Sequence, residues 1–272
     1  MSKKALLVGI NQFVTLPENT LHGCVNDVLL LRGVLTTFYG FLSDEITILI
    51  DHGATYNAIF NALAQLITGA QPGDVLVFHF SGHGTQVADR DGDEDDGADE
   101  CLVPTDHNWN DPLRDDQLRI YFERIPAGVS LTFIADCCHS GTIQRDLAPV
   151  GCARLINYPR RIIPPPWIQA EIAACAARKR QQPTRDFQFA PYANHILLAA
   201  CRDDETAADA YINSRYQGAF TWALCQALAN SGGTITYQEA MRQAGLLLND
   251  YGQHPQLECP PGLADRPIFS SI

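Results

Sequence analysis

Two short runs, Val75-Leu-Val-Phe-His-Phe80 and Leu131-Thr-Phe-Ile-Ala135, constrain the fold of this chain most. Each is apolar on successive residues, so both faces of the strand it forms must be buried. That is the signature of a parallel sheet covered by helices on both sides. Further strand-like runs fall at residues 4–10, 45–50 and 195–201. Between them lie segments of helical spacing at 21–38 (Val25, Leu29, Val34, Phe38), 57–67 (Ile59, Leu63, Leu66, Ile67), 115–124, 219–229 and 238–248. The expected fold is α/β: a three-layer α/β/α sandwich around a mostly parallel sheet, in one domain spanning residues 1–272. The stretch from about 146 to 190 holds Pro164-Pro165-Pro166 and several arginines and lacks a strong strand, so it reads as a linker or insertion.

Both apolar strands run into unusual residues. The first opens into Ser81-Gly82-His83-Gly84, the second into Asp136-Cys137-Cys138-His139-Ser140-Gly141. Open parallel sheets bind ligands at the carboxyl ends of their strands, and both segments sit there. Alternation along an extended chain puts Ser81 with His83, and Asp136 with Cys138, while Cys137 faces the other way. A thiol needs a nearby base to become a thiolate, because its free pKa is about 8.5. The pairing therefore points to acyl transfer, with amide hydrolysis first. His79, inside its strand, reads as a core histidine, His139 as a loop stabiliser and His22 as a surface residue. Other cysteine and serine chemistries fail on spacing. A phosphatase loop needs Cys-x5-Arg, but position 144 is Gln, and a serine-hydrolase elbow needs glycines where His79 and His83 flank Ser81.

Charge narrows the partners. The net charge is -12, and residues 89–100 hold eight acids and one arginine. Such a balance excludes nucleic acid as the main partner. No apolar run approaches the about 20 residues of a membrane span, and the N-terminal run is too short for a signal-peptide core. A cytoplasmic protein with its nine cysteines reduced is expected, and without a Cys-x-x-Cys pair no structural zinc.

Phe78-His-Phe-Ser-Gly-His-Gly84 followed by Asp136-Cys-Cys-His-Ser-Gly141 resembles the metacaspases, and especially their prokaryotic members, the orthocaspases. Lys4–Asn11, Gly23–Asp27, Asp99–Asp106, Ala199–Arg202 and Gly218–Thr221 are similar to other segments of that family. The resemblance implies a caspase-like cysteine endopeptidase. Residues 1–145 are then large-subunit-like and 191–272 small-subunit-like. His83 is the dyad histidine, Cys138 the nucleophile, and the backbone N–H groups of Gly84 and Cys138 the oxyanion hole. Cys24, Asp27, Ser81 and Asp136 match the specificity pocket. Two carboxylates there favour Arg or Lys and repel an aspartyl side chain. Family calcium positions match Asp99, Asp115, Asp116 and, offset by one residue, Asp146, with calcium as an activator and no cofactor needed for the chemistry. Autoprocessing in the linker is implied, the bond left open among Arg145, Arg154, Arg160, Arg161, Arg178, Lys179, Arg180 and Arg185. The partners are peptides and proteins with a basic residue at the cleaved bond, and a monomer is expected. The competing reading is a catalytically silent caspase-like scaffold that binds basic peptides or partner proteins.

Overall fold

The computed structural model describes residues 1–92, 94, 96–138, 157–179, 195–202 and 205–272. In chain order the elements are β1 (Lys3–Gly9), α1 (Cys24–Phe38), β2 (Ile46–Ile50), α2 (Tyr56–Ile67), β3 (Val75–Ser81), β4 (Gly84–Ala88), β5 (Ala98–Leu102), β6 (Leu113–Arg114), α3 (Asp115–Phe122), β7 (Ser130–Asp136), β8 (Asn157–Pro159), α4 (Pro166–Lys179), β9 (His195–Ala199), β10 (Ala208–Ile212), β11 (Arg215–Gly218), α5 (Ala219–Asn230), α6 (Tyr237–Leu248) and β12 (Gln256–Glu258).

The central sheet has the order β12-β9-β7-β3-β1-β2. All its pairings are parallel except that of β12, which closes the β9 edge antiparallel. Every residue of β3 and β7 is buried, as the apolar runs require. Alternation sends their side chains to two cores. Val75, Val77 and Ile134 pack under α1, α5 and α6, whereas Leu76, Phe78, Phe80, Leu131 and Phe133 pack under α2 and α3. Phe78 and Phe133, paired in register, stack at 4.8 Å. Helix starts are fixed locally: Thr55 and Thr236 accept hydrogen bonds from the N–H groups of Ala58 and Glu239, a cap that stabilises by about 1 kcal/mol. At the end of β1, a Cβ on Gly9 would lie 2.5 Å from the Cys24 carbonyl oxygen. Glycine there lets the start of α1 reach the end of the sheet where the site forms.

The expected strands and helices are present, with boundary shifts. Helix α1 starts at Cys24, and it buries Val28, Leu31, Val34 and Leu35 while Leu29 and Phe38 are exposed. Short strands outside the main sheet escape the sequence pattern. β4-β5-β6 and β11-β10-β8 form two antiparallel three-stranded sheets. In the stretch read as linker, β8 and the fourteen-residue α4 are regular, with Ile168 of α4 packing on Val87 and Cys101. Among the described residues no helix is long and apolar enough to cross a membrane.

Candidate active site

Parallel pairing sets Ser81 opposite Asp136 across the ends of β3 and β7. The start of α1 supplies Cys24 and Asp27, and β10 supplies Asp209. These residues line a pocket with no solvent exposure at Cys24, Asp27, Ser81, Asp136 and Asp209. Its carboxylates are fixed by surrounding hydroxyls and backbone N–H groups. Asp27 accepts from Ser81 Oγ (2.8 Å) and from the Gly218 N–H (2.8 Å). Asp136 accepts from the N–H (2.9 Å) and hydroxyl (2.6 Å) of Thr221, and Asp209 from the His22 N–H (2.7 Å). Burial pushes the Asp27 carboxyl up to about 7, the neighbouring guanidinium of Arg160 opposing it. Burial also pushes the Cys24 thiol up.

That guanidinium fills the pocket. Arg160 is fully buried. Its Nη2 donates to Asp27 Oδ2 (2.7 Å) and Asp209 Oδ1 (3.0 Å). Its Nη1 donates to Ser81 Oγ (2.9 Å) and the Asp136 carbonyl (3.2 Å), and lies 3.2 Å from Asp136 Oδ2. A Cβ at Gly218 would stand 2.4 Å from Nη1, so only glycine leaves room for a side chain of this length. A cation this deep is tolerable because several charge-assisted hydrogen bonds replace its water.

The backbone of Arg160 is gripped as well. Its carbonyl accepts from the N–H of Gly84 (3.1 Å) and of Cys138 (3.2 Å). Its own N–H donates to the Ala207 carbonyl (3.0 Å). On one side β8 pairs antiparallel with β10; on the other, the Ile162 N–H reaches the Gly84 carbonyl (2.9 Å). Residues 157–162 thus cross the ends of the strands as an added strand.

His83 and Cys138 flank the Arg160 carbonyl. The imidazole Nε2 lies 2.8 Å from the Asn19 carbonyl. A carbonyl only accepts, so Nε2 carries the proton and Nδ1 keeps its lone pair. Nδ1 is buried without a hydrogen-bond partner. Burial draws the His83 pKa down to about 4; the carbonyls of Asn19 and Arg160 oppose the fall. The ring is therefore neutral at pH 7, and Phe13 packs at 5.2 Å from it. The Cys138 Sγ rests against the Ala207 N–H, which donates to it. Among the described residues no hydrogen bond joins Sγ to His83. Cys138 belongs to the α1/α5/α6 core and Cys137 to the α2/α3 core, the opposite sides expected from alternation.

The structure brings together His83, Cys138, Gly84, Cys24, Asp27, Ser81 and Asp136. Sequence reasoning missed Asp209, Thr221, Gly218 and the carbonyls of Asn19 and Ala207. The signal for Asp209 is a lone acid inside Ala207-Ala-Asp-Ala210, a stretch otherwise made of small buried residues. Backbone carbonyls leave no signal. His79 is the core histidine expected, with Nε2 3.2 Å from Thr221 Oγ1. His22 is exposed but meets Tyr158 edge-on at 5.2 Å and Tyr216 at a tilt at 5.0 Å.

Of the expected calcium residues, Asp99, Asp115 and Asp116 lie within the described part of the chain, and the Asp116 N–H donates to Asp115 Oδ1 (2.9 Å). Asp99 pairs with Arg114 (2.9 Å) and Asp116 with Arg119 (2.7 Å). Asp115 instead meets Glu94 and Glu100, with carboxylate oxygens within 4.8 Å of one another. Desolvation by its neighbours, and then the Glu100 charge, push the Asp115 carboxyl upward. Water does reach Asp115, so the repulsion between carboxylates matters more there than burial. His139, Arg145, Asp146, Arg154, Arg180 and Arg185 lie outside the described residues. Of the basic candidates within them, Arg178 and Lys179 are on α4, and Arg160 and Arg161 are in the cleft.

A sandwich of this topology with these strand ends defines a caspase-like protein. The family description "Metacaspase, peptidase C14 domain" matches residues 3–147. Metacaspase-1 of Schizosaccharomyces pombe is 31% identical over 94% of this chain and 67% of its own. Metacaspase-1 of Pyricularia oryzae is 34% identical over 94% of this chain and 71% of its own. The chain belongs to the metacaspase family of cysteine peptidases. The fold recurs in protein GSU0716 from Geobacter sulfurreducens (TM-score 0.70, 23% identity, all of both chains). It recurs also in caspase-1 from Spodoptera frugiperda (TM-score 0.55, 15% identity, 94% of this chain and 85% of that one).

Proposed function

We propose that the protein is an endopeptidase that cuts after Arg or Lys with a Cys138–His83 dyad, and that it processes its own chain. One observation carries this reading: a guanidinium lies among Asp27, Asp136 and Asp209 while the carbonyl of the same residue receives the Gly84 and Cys138 N–H groups. A substrate residue needs both grips, one for specificity and one for the oxyanion. An aspartyl side chain in that pocket would add a fourth buried carboxylate to three.

The mechanism follows from the tautomer. His83 Nδ1 takes the thiol proton while Asn19 holds Nε2–H. The Cys138 thiolate attacks the carbonyl carbon, and the oxyanion forms between the two N–H groups. His83 then protonates the leaving amine and activates the water that releases the acyl group. The Asn19 carbonyl serves as the third, orienting member.

Calcium is an activator in this reading and takes no part in the chemistry. The carboxylates of Glu94, Glu100 and Asp115 are the hard oxygen donors such an ion prefers, and an ion would relieve their mutual repulsion. The enzyme works as a cytoplasmic monomer on protein substrates. Fluorogenic peptides ending in Arg, Lys or Asp test the proposal. Turnover of the Arg and Lys peptides, lost in Cys138→Ala and His83→Ala, is expected. Turnover of the Asp peptide, or turnover that survives Cys138→Ala, would overturn it.

A further inference from the structure

We infer that residues Asn157–Arg161 are the enzyme's first substrate, that the bond cut is Arg160–Arg161, and that until it is cut this segment bars other substrates from the site. The inference rests on the peptidase reading and adds the bond, its regulatory consequence and the extended substrate it reveals.

Four features together make the segment a substrate. Its side chain occupies the acidic pocket completely. Its carbonyl sits between the Gly84 and Cys138 N–H groups. Its N–H is held by Ala207, and β8 adds to β10 antiparallel, the usual way a sheet edge binds an extended peptide. Gly84 follows His83 in the chain, so the same two N–H contacts bring His83 and Cys138 to the carbonyl of the bond that would be cut. A buried salt bridge built only for stability needs the guanidinium; it has no need of the carbonyl in an oxyanion hole. While Arg160 is there, no second guanidinium fits.

The step balances within the chain. The Cys138 Sγ–carbon bond forms as the Arg160 C–N bond breaks. The Arg161 amine leaves with the proton that His83 took from the thiol. Water then splits the thioester, leaving an Arg160 carboxylate and the free thiol. That carboxylate adds negative charge beside three buried aspartates, and the segment is now anchored from one side only. Both changes favour its departure.

The segment also reports what a foreign substrate should carry. Pro159 precedes the arginine. Tyr158 meets His22 edge-on at 5.2 Å and lies 6.1 Å from Tyr216, so an aromatic residue is read at the third position. The probe is therefore a Tyr-Pro-Arg coumarin amide.

The test incubates the purified full chain, maps new N-termini by mass spectrometry and follows the probe. Wild type should yield a fragment beginning Arg161-Ile-Ile-Pro and then turn over the probe; Cys138→Ala should stay whole. Arg161→Pro keeps Arg160 in the pocket but blocks the bond. It should stay whole and cleave the probe at least about tenfold more slowly than cut wild type, because the competent state is depleted. Arg160→Gln should also stay whole yet accept the probe faster than Arg161→Pro. If its three uncompensated carboxylates prevent folding, seen as a lost thermal transition, the wild-type map and Arg161→Pro decide. Turnover with the Arg160–Arg161 bond intact, a cut after another basic residue alone, or Arg161→Pro as fast as cut wild type overturns this inference and leaves the peptidase reading standing. Neither turnover nor cutting in wild type overturns both.

Discussion

Asp209→Asn probes the pocket residue that sequence reasoning missed. Asp209 Oδ1 lies 3.0 Å from the guanidinium, and Oδ2 accepts the His22 N–H at 2.7 Å. Asparagine keeps the shape and, through its carbonyl oxygen, one of these bonds. What disappears is a charge. At 3.0 Å and an effective dielectric of about 20 the gross attraction is ~5 kcal/mol. The net value is smaller, since a hydrogen bond to a charged group contributes about 1.5–3 kcal/mol. Asp27 offsets part of the loss. Its carboxyl is raised to about 7 by burial and by the Asp136 charge, with the Arg160 guanidinium opposing. Asp27 keeps its own 2.7 Å contact with the guanidinium in the variant. The expected cost is about 2 kcal/mol, or ~30-fold in kcat/KM for Arg peptides. The assay compares cut wild type and cut Asp209→Asn on Tyr-Pro-Arg and Tyr-Pro-Gln amides. The loss should fall mainly on the Arg peptide. A change under about threefold, or an equal loss on both peptides, would refute the assignment of Asp209 to charge recognition.

Other consequences can be measured separately. Cys137→Ala should retain peptide turnover with a modest loss of thermal stability, because Cys137 packs in the α2/α3 core; Cys138→Ala should lose turnover by more than about a thousandfold. Burial holds His79 at about 3 and His83, His107 and His195 at about 4, against 6.5 unfolded. The unfolded chain therefore binds more protons between pH 6.5 and about 4, and stability should fall as pH drops through that window. Asp27 and Asp99, raised to about 7 and about 6, act oppositely and soften the slope to roughly 1–3 kcal/mol per pH unit. A urea midpoint that stays level or rises from pH 6.5 to 4.5 would contradict the neutral buried histidines. Calorimetric titration should show calcium binding that Asp115→Asn weakens. In chelator the same variant should melt higher than wild type, since it removes a carboxylate repelled by Glu94 and Glu100. No calcium heat in wild type would dismiss the site.

The parallel character of the sheet was legible because its strands are buried on both faces. Val75–Phe80 and Leu131–Ala135 admit few other structures. The residues at their ends, His83 and Cys138, were legible for a related reason: strand alternation carries their direction. β8, β10 and β11 were not. They are short, and two of them mix tyrosines with charged and small residues, so their pairing comes from tertiary hydrogen bonds and leaves no apolar period. Asp209 was lost with β10. Arg160 stood among eight basic candidates because sequence shows that an arginine is present without showing where its side chain goes. The partners of the calcium candidates were illegible for a similar reason. Adjacent acids on a strand face opposite ways, so Asp99 turns to Arg114 while Glu100 meets Asp115.

The most direct test of the central claim is labelling of self-processed enzyme with a Tyr-Pro-Arg chloromethyl ketone, followed by peptide mapping. The inhibitor uses the acidic pocket to reach the nucleophile, so it probes both halves of the site together. A single alkylated residue, Cys138, is expected, with labelling greatly slowed in His83→Ala and absent when arginine is replaced by aspartate in the inhibitor. Label on Cys137, or equal labelling by the aspartyl inhibitor, would contradict it.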